Sequence, residues 1–367
     1  MRNIQLAKRY HQIKNRLFFV NLLLNILALL FMGLSGISVY FKALLLRISP
    51  QFLVANALYA IGFVVFFTIL GFPLNFYEGF VLEHRFNLSN QSLLNWLKDG
   101  AKGFVLSLVI ILVGVEGLYL FLRKFPATWW LWATGFWLFL TVVIARITPT
   151  FIIPLFFKYR KLEKVNLKTK IFELLDKCQL KVKDIFYLDF SSKTKKANAF
   201  ICGLGGNRRL VLSDTLLEKF NDPEIVEVVA HELGHYKHHD IAKLILANSA
   251  ISFLSFFLIS RILQSALLYF GFSHIDDIAF LPFLGLGFLL LGLVALPLTN
   301  AFSRHLEKGA DRFCLTLTQD PENFMAMMKK LGELNLADFS PHPLIEIFLY
   351  DHPAIAKRIK FAEGFGK

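Results

Sequence analysis

The chain has 367 residues, of which 55% are apolar and only 18% charged. Phenylalanine alone occurs 40 times, and mean hydropathy is +0.53. A purely soluble enzyme, a disordered chain and a fibrous repeat are all excluded by this excess, which lipid must solvate. The net charge of +13 would fit nucleic acid, but the basic residues fall in alternate loops between apolar runs, so no nucleic-acid partner is expected.

Apolar runs long enough to cross a bilayer lie at residues 17–41, 52–82, 103–122, 129–157, 243–270 and 279–302, giving six spans. Pro73, Pro149, Pro154 and Pro297 fall within or beside these runs and predict kinks. The first run has no small-residue cleavage site and reads as a retained anchor. Lys and Arg number five in residues 1–16, three in 83–102, seventeen in 158–243 and nine in 303–367, whereas the intervening loops hold only Lys42, Arg47, Arg123 and Lys124. The bias places both termini and the central segment in the cytoplasm, so the sequons at Asn87 and Asn90 should stay unmodified. Three scattered cysteines, Cys178, Cys202 and Cys314, fit a reducing compartment and no CxxC site.

Four segments follow: a four-span membrane region (1–157), a cytoplasmic segment (158–242), two further spans (243–302) and a cytoplasmic C-terminal part (303–367). The expected fold class is a mainly α multi-pass membrane protein of about six transmembrane helices with a cytoplasmic α+β domain. Within 158–242, residues 171–178 read as a short helix, and 185–190, 197–202 and 209–212 as strands, the last two joined by Gly203-Leu-Gly-Gly206. Asp222 as N-cap and Pro223 at the first turn open a further helix.

That helix carries His231-Glu232-Leu233-Gly234-His235. Histidines four residues apart share one helix face and can grip one metal ion, with Glu232 beside the bound water as general base. Two histidines and a carboxylate suit Zn2+, one per chain, because they leave a fourth position open. Glu307 is the third ligand expected, with Asp311 one turn later to hold a ligand histidine by its other ring nitrogen. His235 lies eight residues before the fifth run and Glu307 five after the sixth, about 12 Å and 8 Å along a helix, so two antiparallel spans bring the ligands together at the lipid edge. His238, His239 and His305 are competing ligands, read here as surface residues. Glu116, Arg146 and Arg261 lie inside spans and should face the protein interior.

The chain resembles the Ste24-type CAAX prenyl proteases, integral-membrane zinc metallopeptidases of family M48. The likeness rests on the HELGH motif, the segment Ser303-Arg304…Glu307…Ala310-Asp311, the loop Phe80–Asn87, the stretches Asn198-Ala199-Phe200 and Arg209–Glu218, and Asp351-His352-Pro353…Lys357-Arg358-Ile359. Three departures stand out. The first of the seven eukaryotic spans and an acidic insert before HExxH are missing, as in a bacterial relative in the inner membrane, and Lys308-Gly309 replaces the family's Phe-Gln. The resemblance implies a helical chamber, a zincin-like metallopeptidase domain and cleavage of a peptide or protein near a prenylated C-terminus. It also implies that Asn198, His352 and Arg358 lie by the zinc. Asn198 on an edge strand suits binding of an extended substrate, and His352 or Arg358 suits donation to the attacked carbonyl. Two rival readings are a quality-control protease of misfolded membrane proteins and a non-enzymatic zinc-binding transporter.

Overall fold

A computed structural model describes residues 2–180, 182, 184–203 and 208–365. The expected turn at Leu204, Gly205 and Gly206 lies outside them. Helix α1 (Arg2–Leu34) ends where Gly36 takes a left-handed backbone (φ 79°), so the first run divides and its remainder forms α2 (Ile37–Ile48). Helix α3 (Phe52–Phe76) contains Pro73, and beyond that missing N–H the chain widens into a π-helical turn, Tyr77–Leu82, before α4 (Glu83–Arg85). Helix α5 (Leu93–Lys124) is capped by the Ser92 hydroxyl. Helix α6 (Trp129–Ile147) passes through a second π turn at Pro149 into α7 (Ile153–Phe156).

The small sheet has the order β1 (Tyr159–Lys161), β2 (Ile185–Leu188), β4 (Arg209–Ser213), β3 (Ala199–Cys202). Strands β2 and β4 are parallel and the outer pairs antiparallel, which leaves β3 at an edge. Strand β1 is too short and charged to stand out in the sequence. Helix α8 (Val165–Lys177) covers the sheet, and α9 (Asp214–Lys219) follows β4. The next helix, α10 (Asp222–Lys237), is capped by Asn221, not by Asp222. Asn221 accepts from the Glu224 N–H while the Glu224 carboxylate accepts from the Asn221 N–H, a reciprocal box.

His239 then adopts a left-handed conformation (φ 56°), turning the chain into α11 (Asp240–Tyr269). Helix α12 (Leu281–Thr318) runs 38 residues without a break, and α13 (Pro321–Leu334), α14 (Pro343–Leu349) and α15 (Ile355–Glu363) complete the chain. Six helical stretches are long and apolar enough to cross a membrane. One apolar core joins α8, the sheet, α10, α13 and the end of α12. A second, including Tyr59, Tyr119, Trp129 and Phe283, lies at the opposite end of the bundle. The 87–90 loop docks beside the sheet: Ser89 bridges Thr194 and the Asn90 N–H donates to the Lys193 carbonyl. The loop of the two sequons therefore lies on the same side as the central segment. Of the ionisable residues expected to face inward, Glu116 is partly buried, while Arg146 and Arg261 stand exposed, Arg261 over the Phe257 ring.

Candidate metal centre

The site forms where α10 crosses α12. Gly234 permits the crossing, since a Cβ there would sit 2.8 Å from the Ala310 Cα. His231, His235 and Glu307 each bring one ligand atom to within 4.8 Å of the others, the only such group of His, Cys, Asp or Glu among the described residues. His231 Nε2 lies 3.4 Å from Glu307 Oε2 and His235 Nε2 lies 3.2 Å from Glu307 Oε1. Glu307 is 5% exposed and its Oε2 is buried without a hydrogen-bond partner. Leaving such an atom unmet costs about 1–3 kcal/mol, and a cation held among the three side chains removes that cost.

Each histidine is oriented through its other ring nitrogen. His231 Nδ1 lies 3.0 Å from Asp311 Oδ1, as the sequence spacing predicts. His235 Nδ1 lies 3.0 Å from Asp240 Oδ2, a partner that sequence reasoning missed. Asp240 follows His235 by five residues, and only the left-handed turn at His239 brings it back under the ring. Both anchors fix the ring face that meets a metal. Although burial disfavours a charged His231 ring, Asp311 and Glu307 outweigh it and push its pKa up to about 9. The same negative field favours a bound cation. Burial raises the Glu232 carboxyl above its ordinary value, with His231 and His235 opposing, so its proton affinity is increased.

A cavity of about 530 Å³ opens beside the cluster, with Asn198, Leu216, His231, Glu232, Met328 and His352 in its wall. Asn198 precedes β3 at the sheet edge. Its Oδ1 accepts from the Ala199 N–H, and Asn335 holds the preceding residue by accepting from the Ala197 N–H and donating to the Ala197 carbonyl. His352 Nε2 lies 3.1 Å from Glu307 Oε1 and its Nδ1 lies 2.8 Å from Asp351 Oδ1. Arg304 donates to the carbonyls of Glu346 (2.9 Å) and Tyr350 (2.6 Å), fixing the segment that leads to His352.

Arg358 lies in the wall of the same cavity. It is buried, and its Nε and Nη2 both donate to the Asp311 carboxylate, at 2.8 and 2.5 Å. Two of its nitrogens thus hold the residue that orients His231, a contact the sequence spacing does not mark. His238 packs its ring edge-on to Phe313, His239 makes the turn and His305 is exposed, so none of the three joins the cluster.

Comparison with known proteins matches this geometry to a family. A family model described as "Peptidase family M48" matches residues 161–365. The chain belongs to that family. A second model, "CAAX prenyl protease N-terminal, five membrane helices", matches residues 2–158, where this chain has four membrane-length helices and the short α2. An uncharacterized metalloprotease of Bacillus subtilis, YhfN, is 29% identical over 98% of this chain and 85% of its own length. CAAX prenyl protease 1 of Saccharomyces cerevisiae is 32% identical over 80% of this chain and 68% of its own. The crystal structure of S. mikatae Ste24p shares the fold, with a TM-score of 0.88 at 24% identity over 99% of this chain and 89% of that one. The M48 protein described here is therefore an integral multi-pass membrane metalloprotease of the Ste24 type, acting on a peptide or protein substrate.

Proposed function

We propose that the protein is a zinc endopeptidase that cleaves prenylated substrates near their C-terminus at the cytoplasmic face of a bacterial inner membrane. The observation that carries this reading is the convergence of His231, His235 and Glu307 beside Glu232 in a cavity bordered by an edge strand. Two imidazoles and one carboxylate suit zinc, which when bound supplies Lewis acidity to a water and to the scissile carbonyl. Glu232 takes the proton from the attacking water and returns it to the leaving amine. Asp311 and Asp240 hold the ligand rings, and Arg358 holds Asp311. The free edge of β3 offers backbone groups to an extended substrate, with Asn198 at its end. His352 is the exposed donor aimed at the cluster and faces charge developing on the carbonyl oxygen.

Prenylation is supported by the yeast relative's name, and the exposed apolar helices of the membrane region supply a surface on which a lipid-modified terminus can rest. The first turns of α1, helix α15 and the basic segments lie with the metal centre, which supports a cytoplasmic site. A bacterial source is supported by the near full-length match to the Bacillus protein. The test compares wild type, Glu232→Gln and Glu307→Ala for zinc content and for cleavage of matched prenylated and unprenylated peptides. One zinc in wild type and in Glu232→Gln, little in Glu307→Ala, and turnover only by wild type on the prenylated peptide are expected. Full activity of Glu232→Gln overturns the mechanism, and equal cleavage of both peptides overturns the substrate assignment.

A further inference from the structure

Buried polar side-chain atoms without a hydrogen-bond partner are few among the described residues, and they cluster. One is Glu307 Oε2, at the metal centre. Four others come from only two side chains, Asn56 (Nδ2 and Oδ1) on α3 and Glu116 (Oε1 and Oε2) on α5. These two face one another where α3 packs on α5, toward the end of the bundle away from the metal centre. Asn56 is 1% exposed. Burying such atoms unmet is unfavourable, and a lone carboxylate most of all.

A cavity of about 330 Å³ opens over Asn56, on the far side from the metalloprotease domain. Asn56 lies in its wall beside Phe52 and Ala55, and His274, Asp276 and Asp277 line its mouth. Lys42, the only Lys or Arg in this lining, is held by Asp277 at 2.6 Å. Asp277 also accepts from the Ala279 N–H, which leaves Asp276 as the surplus negative charge at the entrance.

We propose that Asn56 and Glu116 form a binding site for a small monovalent cation of the sodium class, entered from the face opposite the metal centre. The donors are carboxylate and carboxamide oxygens with no imidazole or thiol, which selects a hard ion over zinc. One carboxylate balances one positive charge. A calcium ion would ask for six to eight oxygens and more negative charge than two side chains provide. Ligation from α3 and α5 ties together two spans whose other ends lead to the Tyr77–Leu82 turn and to the loop docked on the sheet. The ion thus braces the bundle and takes no part in peptide hydrolysis.

The test measures thermal unfolding of the full chain in detergent, titrating sodium chloride against N-methylglucamine chloride at constant ionic strength. Binding to the folded state alone predicts a saturable rise of a few degrees with sodium and none with the organic cation. Glu116→Gln should abolish the rise. Asn56→Ala and Asp276→Asn should move its midpoint at least threefold higher, and they carry the test if Glu116→Gln does not fold. Identical curves in the two salts would show that water alone fills the site and overturn the proposal. A sodium rise retained in Glu116→Gln would overturn it too, as would saturation by micromolar calcium. Zinc content is read in every sample, so loss of the metal centre is distinguished from loss of the sodium response.

Discussion

Glu227 offers a pH test of how the two ligand-bearing helices are joined. It lies on α10, four residues before His231, and is 2% exposed. Its Oε2 accepts from the Cys314 thiol and from the Thr318 hydroxyl, both on α12 and both at 3.1 Å. Burial pushes its pKa up to about 7 from an ordinary 4.5, against the opposing effect of those two donors. The folded state therefore binds the proton more tightly than the unfolded chain does. The stabilisation that follows is fully present below about pH 4.5 and is lost as pH rises through about 7. A difference of about 2.5 units corresponds to about 3 kcal/mol in all, most of it lost between pH 5 and pH 8.5. Glu227→Gln keeps an acceptor oxygen and cannot ionise. The variant should match wild type near pH 5 and exceed it by about 2–3 kcal/mol at pH 8.5, or about 3 °C for a chain of this length. Fluorimetric unfolding across that range, wild type beside variant, isolates this group because other titrations cancel in the difference. Parallel curves would refute the reasoning.

Removing the Asp240 anchor by Asp240→Ala should weaken zinc binding about 10–100-fold while the fold persists, as read by competition with a chromophoric chelator; unchanged affinity would show that His235 needs no orienting group. At the helix crossing, Gly234→Ala drives a methyl into the Ala310 backbone and should cost about 1–3 kcal/mol in thermal unfolding together with zinc content, and a neutral result would mean that α10 and α12 separate freely. Asn335→Ala releases both backbone groups of Ala197 next to the substrate edge and should raise KM several-fold at constant zinc content; an unchanged KM would separate the sheet edge from substrate binding.

The metal cluster was legible because a four-residue spacing dictates a shared helix face, and because apolar run lengths place Glu307 relative to the membrane without knowledge of the fold. Asp311 followed from the same periodicity. Asp240 did not, since its contact depends on the left-handed backbone of His239, which no apolar pattern encodes. The Arg358 contact went unseen for a related reason: sequence marks a guanidinium, but only the fold shows that two of its nitrogens hold Asp311. Helix ends were blurred where lipid-facing helices continue into water. α1 starts near the terminus, well before residue 17, because its polar first turns pack Ala7 and Tyr10 against Leu82 and Phe86. Strand β1 has three residues, two of them basic, and is defined by its partner rather than by its own pattern.

The continuity of α12 explains how a bundle in lipid can hold a metal centre outside it. Glu307 and Asp311 lie on the same unbroken helix as the sixth span, so their position is fixed by packing inside the bundle rather than by a loop. α10 must then be brought to them, and three devices at the crossing do so: the bare backbone of Gly234 against Ala310, the Glu227 contacts to Cys314 and Thr318, and the Arg358 clamp on Asp311. Each joins a part of the soluble core to α12, and none contributes a ligand atom. A change in how the sixth span sits in the membrane would therefore move Glu307 against His231 and His235, coupling the metal centre to the lipid around it. The loop from Asn87 to Asn90, bridged to Thr194 in the cavity wall, gives the third span a second path to the same cavity.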